Sequence, residues 1–155
     1  MSSTRERTFI MIKPDSVQRG LIGKIITRFE EKGLKLIAMK FVQPGKERFE
    51  KHYLDLLNEK FYLNMIDYVS SGPVVAMVWQ GSNAVAAGRR LIGCTRPEDS
   101  FPGTIRADFA LALSHAGKNV IHGSDTVEFA EKEISLWFED DELQEWSNDM
   151  SKWID

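Results

Sequence analysis

The chain has 155 residues, 43% of them apolar, and a formal charge of −3 at pH 7, which predicts one compact domain over residues 1–155. The acidic balance argues against broad nucleic-acid affinity but leaves room for a local basic pocket; no apolar run reaches the roughly eighteen residues of a membrane span, and the polar start MSSTRERTF lacks a secretory leader. Cys94 is the only cysteine, either a plain small residue or a reactive thiol, so no internal disulfide forms and a reducing, cytoplasmic setting is expected.

In chain order, TFIMI (8–12) is an apolar, β-branched run that predicts a buried strand, stopped by Pro14. Between Gly20 and Gly33, Ile22, Ile25, Ile26 and Phe29 recur at i, i+3, i+4 and i+7, one face of an amphipathic helix. LKLIAMKFV (34–42) predicts a second strand. ERFEKHYLDLLNE (47–59) is polar with apolar spacing near 3.6 and predicts a helix, with FYLNMIDYVSS as another. PVVAMVW (73–79) is nearly all apolar, as a strand covered on both sides would be. NAVAAGRRLIG (83–93) predicts a helix up to its last glycine.

From Cys94 to Lys118 the periodicity dissolves into a long, mostly irregular segment with ALALS as a short helix. Loops of that length in a compact domain are usually functional or disordered. VIH makes a brief strand. From Ser124 or Asp125 a helix then runs to about Phe138 on the stripe Val127, Ala130, Ile134, Trp137 and Phe138, with Asp125 and Glu128 spaced as a capping box. Leu143, Trp146, Met150 and Trp153 follow at helical spacing, a tail expected to pack on the body or on another subunit. Such alternation argues for α/β or α+β. An α+β, ferredoxin-like split βαβ fold, with a four-stranded antiparallel sheet and helices packed on it, accounts for the order best.

Of the three histidines, His52 lies on a polar helical face and is expected to be solvated, and His115, among small loop residues, to be exposed. His122, in NVIHGSD, ends an apolar strand just ahead of a helix N-terminus, where free N–H groups and the helix dipole favour an anion. Spacing alone divides it evenly between a bonded core histidine and a functional one. A neutral imidazole, ordinarily titrating near 6.5, can attack phosphorus and hold the phosphoryl group covalently. Glu133, about two and a half turns into the next helix, is a candidate to fix the second ring nitrogen; a solvated carboxylate is the commoner fate. Phosphoryl transfer needs positioning and neutralised charge, and Lys13, Arg89 and Arg106 suit that, with a hydroxyl at Thr95 and an amide at Asn119. Singly each is a common surface residue, and Tyr53 and Phe61 are by default packing residues. Only as a set do they point to phosphate chemistry.

Together RTFIMIKPDSVQRGLIG, SGPVVAMVW, PGTIRADF and NVIHGSD followed by EKEISLWF resemble the nucleoside diphosphate kinase family, in order and over nearly the whole chain. The resemblance implies a ping-pong enzyme that moves the γ-phosphate of a nucleoside triphosphate to a nucleoside diphosphate through phosphohistidine, with Mg²⁺ on the nucleotide phosphates and few direct protein ligands to it. It matches His122 to the nucleophile, Glu133 and Ser124 to its orienting groups, and Arg89, Thr95 and Arg106 to the phosphate-binding groups. Lys13 and Asn119 match groups that meet ribose hydroxyls and phosphates, Tyr53 the tyrosine beside the histidine, and Phe61 the aromatic on which the base stacks. It also implies a homo-oligomer, a hexamer ahead of a tetramer; from the acidic charge and the short apolar runs, no membrane partner is expected, nor nucleic acid as the primary one.

Three departures from the family stand out. ALALSHAGK adds a few residues where the family supplies an apolar contact to the base, with Leu113 and Ala116 as candidates. Leu63 and Asn64 stand where it tends to have Pro or Ala and then Gly, and Ser16 and Arg96 stand where glycine and asparagine are expected. Rival readings are an RNA-binding sheet, disfavoured by aliphatic strands and acidic charge; a nucleotide scaffold without catalysis; and a hydrolase with His122 and Asp125 as metal ligands, which lacks further ligand clusters.

Overall fold

The computed structural model describes residues 5–111 and 118–154. Strands β1 (Arg7–Ile12), β2 (Lys35–Val42), β3 (Val74–Gln80) and β4 (Ile121–Gly123) form one sheet in the order β2-β3-β1-β4, every neighbouring pair antiparallel. Two crossovers each skip a strand. β1 reaches β2 through α1 (Pro14–Gln18) and α2 (Ile22–Glu31), and β3 reaches β4 through α5 (Ala84–Ile92) and α6 (Ile105–Phe109). That is the ferredoxin-like split βαβ arrangement of an α+β fold, as the order of elements predicts. α3 (Lys46–His52) and α4 (Tyr62–Val69) join β2 to β3, and α7 (Val127–Trp137) follows β4.

Strand alternation divides the core in two. Phe9, Met11, Ala76 and Val78 meet Phe49, Met65, Ile134 and Trp137 beneath α3, α4 and α7. Ile10, Ile12, Met77 and Trp79 meet Ile25, Phe29 and Ile92 beneath α2 and α5. Each buried Ile, Val, Met or Phe side chain among these contributes about 2 kcal/mol. A sheet covered on both faces has no polar side, so β3 is buried from Val74 to Trp79 and reads as an unbroken apolar run. In β4, Ile121 enters the α2/α5 core while His122, paired opposite Met11, emerges on the other face. Among the described residues no helix is long and apolar enough to cross a membrane.

Several elements differ from expectation. Pro14 opens α1 as well as ending β1, because a first helical turn does not need its missing N–H. The helix expected over 47–59 stops at His52, and a short 3₁₀ turn covers Leu54–Leu56. α7 is capped one residue later than expected: Thr126 accepts from Phe129 N–H at 3.1 Å, while Asp125 turns to Arg89. In the long loop, Pro97–Asp99 and α6 are helical. Of ALALS, only Ala110 and Leu111 are described, neither in a helix. His115, Leu113 and Ala116 lie outside the described residues.

The tail packs on the body without forming the helix its spacing suggests. A 3₁₀ turn at Asp140–Glu142 and a four-residue helix, α8 (Ser151–Ile154), flank a non-helical stretch. There Gln144 N–H donates to Ile37 O at 2.8 Å and the Trp146 indole to Leu36 O at 2.9 Å. Both carbonyls lie at the register shift between Leu36 and Ala38 on edge strand β2, so the tail satisfies groups that the bulge leaves open.

Candidate active site

His122 lies in a cavity of about 650 Å³. A Cβ at the next residue, Gly123, would sit 2.5 Å from Ile92 Cδ1, so glycine lets α5 close against β4. Ser124 then ties the chain to β1: its N–H donates to Phe9 O (3.1 Å), and its Oγ accepts from Phe9 N–H (3.2 Å) and donates to Glu133 Oε1 (2.7 Å). Glu133, buried on α7, sets Oε2 at 2.5 Å from His122 Nε2 and 3.1 Å from His52 Nε2.

His52, expected to be solvated, has a fully buried side chain. α3 ends there, and His52 and Tyr53 turn under the sheet against Phe9 and His122. The Trp137 indole, which can only donate, bonds His52 Nδ1 at 2.9 Å. His52 therefore carries its proton on Nε2 and offers it to Glu133 Oε2. Burial first, then the charges of His122 and Lys13, hold its pKa well below the usual value, so the ring is neutral. His122 Nε2 lies 3.2 Å from His52 Nε2, whose proton points to Glu133, and 2.5 Å from Glu133 Oε2, a carboxylate acceptor that leaves the ring to supply the proton between them. His122 thus holds its own proton on Nε2 and keeps an unprotonated Nδ1.

The cationic side of the cavity is built around Asn119. Its Oδ1 accepts from Lys13 Nζ at 2.7 Å, and its Nδ2 donates to Thr95 O at 2.9 Å. Arg106 donates to the carbonyls of Asn119 (3.3 Å) and Ile121 (2.8 Å). Its Nη1 is buried without a hydrogen-bond partner among the described residues, as is the Tyr53 hydroxyl. Burial, then Arg106, lowers the Lys13 pKa to about 7 against a smaller opposing effect of Asp15. Burial, then Arg89, lowers that of Arg106 to about 10. Burial and Glu133 raise the Tyr53 phenol, which stays neutral. Orphaned buried donors and crowded cations both call for an anionic ligand.

Val120, fully buried between Asn119 and Ile121, has φ +79°. Ile121 N–H bonds Asn119 O at 2.9 Å, closing a γ-turn of the rare, strained hand. Strain of this kind costs about 1–3 kcal/mol and persists where neighbours over-determine it. Here Lys13 N–H (3.0 Å) and Ser16 Oγ (2.8 Å) both hold Val120 O.

His52, His122 and Glu133 bring three ligand-type atoms within 4.8 Å of one another, yet they do not fit a metal. Binding through Nε2 would force the His52 proton onto Nδ1, against the Trp137 N–H. Asp125 leans to Arg89, 3.4 Å away, rather than to His122, so the pair suggested for a hydrolase is not assembled. Asp55, Glu98 and Asp125 line the cavity as solvent-open carboxylates; they suit a hydrated cation carried by phosphates better than a protein cage.

Lys13, Tyr53, Phe61, Arg89, Thr95, Arg106, Asn119, His122 and Glu133 all line this one cavity, and Ser124 lies behind Glu133. His52 joins the site although the sequence places it on a polar face in the middle of a helix expected over 47–59; its place directly before Tyr53 is the one signal the sequence offers. Arg96 also reaches the cavity wall, ion-paired with Glu98 at 2.9 Å, whereas Ser16 is buried away from it. Leu63 and Asn64 face outward on the first turn of α4.

The family model for Nucleoside diphosphate kinase matches residues 6–143. A nucleoside diphosphate kinase of Drosophila melanogaster is 56% identical over 154 residues, covering 99% of each chain. Among solved structures, the apo nucleoside diphosphate kinase of Encephalitozoon cuniculi superposes with a TM-score of 0.91 at 53% identity, over 96% of this chain and 99% of that one. A halophilic nucleoside diphosphate kinase from Halobacterium salinarum, in complex with CDP, gives a TM-score of 0.91 at 46% identity, over 97% and 98% of the two chains.

Proposed function

The chain belongs to the nucleoside diphosphate kinase family of enzymes, and we propose that it moves the γ-phosphate of a nucleoside triphosphate to a nucleoside diphosphate through a phosphoryl group held on His122. The observation that carries this reading is the His122–Glu133 contact at 2.5 Å, which occupies Nε2 and leaves Nδ1 as the nucleophile. In the first half-reaction the Nδ1 lone pair bonds to the γ-phosphorus. The bond to the β–γ bridging oxygen breaks, and the diphosphate departs with that electron pair. The second half-reaction runs the same step backwards onto a new diphosphate.

Glu133, steadied by Ser124, balances with its carboxylate the positive charge that develops on the His122 ring. Arg106 Nη1 and the Tyr53 hydroxyl, both orphaned, point to contacts with the travelling phosphoryl oxygens. Arg89 and Thr95 serve the remaining phosphates, and Lys13 with Asn119 the ribose hydroxyls and phosphates. Phe61 lines the cavity, where it stacks the base; stacking reads a π-face, so base discrimination is poor. A divalent cation, Mg²⁺ in this reading, neutralises phosphate charge when bound, with Asp125 the carboxylate beside Arg89 available to its hydration shell. The exposed apolar side chains Met39, Phe41 and Phe101 support a homo-oligomer, for which the family resemblance favours a hexamer over a tetramer. The free, exposed Cys94 fits a reducing cytoplasm, and the chain acts as a single domain.

Incubation with γ-labelled ATP alone should place acid-labile phosphate on histidine, and His122→Ala should take up none. Full labelling of that variant rejects the assignment. Labelling that no diphosphate can discharge favours an autophosphorylating scaffold instead.

A further inference from the structure

We infer that Ser16 is a positioning residue for phosphoryl transfer, acting by clamping the strained Val120 turn that sets Arg106 and His122. The inference rests on the function proposed above. Ser16 is fully buried in α1 and lies outside the cavity. Its hydroxyl donates to Val120 O at 2.8 Å, on the same oxygen that accepts from Lys13 N–H at 3.0 Å. The flanking carbonyls, Asn119 O and Ile121 O, instead receive the Arg106 guanidinium. One strained residue thus stands between the clamp and the arginine, and two residues before His122.

A β-branched residue at φ +79° relaxes toward negative φ unless it is held. Relaxation would turn the peptides on either side of Val120, carry the Asn119 carbonyl away from Arg106, and shift the start of β4, where Ile121 O holds the same guanidinium. A glycine at position 16, as the family resemblance leads one to expect, has no hydroxyl and would leave the Lys13 N–H as the backbone donor on this oxygen. The serine of this chain adds the second donor.

Ser16→Ala should lower kcat/KM about fivefold, the scale of one buried hydrogen bond, and Ser16→Gly should do the same. Glycine adopts positive φ without strain, so in a Val120→Gly background Ser16→Ala should cost less than about twofold. A packing role for Ser16 would not be relieved in this way. Equal losses in both backgrounds, or no loss in either, overturn the inference. Exchange of the Ile121 amide proton reads the clamp without turnover: it should quicken about fivefold in Ser16→Ala and be unchanged by that substitution once Val120 is glycine. If the unmodified protein transfers no phosphate, the proposed function fails, and the exchange measurement still decides the clamp: unchanged exchange in Ser16→Ala overturns it.

Discussion

Trp137 donates an indole N–H to His52 Nδ1, and that bond directs the His52 proton to the Glu133 oxygen that His122 also meets. Trp137→Phe keeps a ring against Phe9 and Phe49 but removes the donor, so His52 can turn its proton away from Glu133. We expect kcat to fall about fivefold with KM little changed, on the scale of one hydrogen bond. Steady-state kinetics at saturating nucleotide measures this, and an unchanged kcat contradicts it. Lys13 gives a pH signature. Its folded pKa of about 7 lies below the ordinary 10.5, so between those values the unfolded chain holds a proton that the folded one lacks, and this group makes stability rise with pH across that window. Phosphate beside the amine raises its pKa, so nucleotide binding should take up protons above pH 7 and cease to do so near pH 6. Calorimetry in two buffers of different ionisation enthalpy reads the uptake directly. His122, Glu133 and the cations were legible because motif and charge type mark them. His52 was not, since Lys46, Glu47, Glu50 and Lys51 give its helix a solvated pattern and its partner Trp137 is 85 positions away.

The helices hold their functional ends by caps and close packing. Thr126 accepts from Phe129 N–H at the start of α7, the helix that carries Glu133 and Trp137. Thr126→Ala should cost about 1 kcal/mol of stability, seen as a lower denaturant midpoint at unchanged slope. An unchanged midpoint would show that the cap does not contribute. Strands and long helices were legible from their periods: β3 as an unbroken run, α2 as a stripe. What escaped was local chemistry that one period cannot encode. Pro14 both ends β1 and begins α1, the polar segment after Gly45 breaks at His52 where the turn must pass beneath the sheet, and Thr126 outcompetes Asp125 as cap because Asp125 finds Arg89.

At the scale of the molecule, the antiparallel split βαβ sheet places the end of β4, the end of α3 and one face of α7 around a single cavity. Element order alone made that topology legible. The tail was legible as a segment held to the body, which Trp146 reaches through its indole N–H, but not as a non-helical one, and Met150 and Trp153 of the expected stripe stay exposed. Its shape follows from the two β2 carbonyls it satisfies, which only the bulge exposes. Truncation before Leu143 removes those bonds and should lower the melting temperature or the oligomer mass; no change in either would show that the tail is dispensable. In the proposed reaction His122 carries phosphate between two nucleotides that never meet. After exposure to γ-labelled ATP and complete removal of nucleotide, the enzyme should retain label on His122 and deliver it to an added diphosphate as labelled triphosphate. Turnover in the presence of both nucleotides while His122 never gains the mass of a phosphoryl group would contradict it.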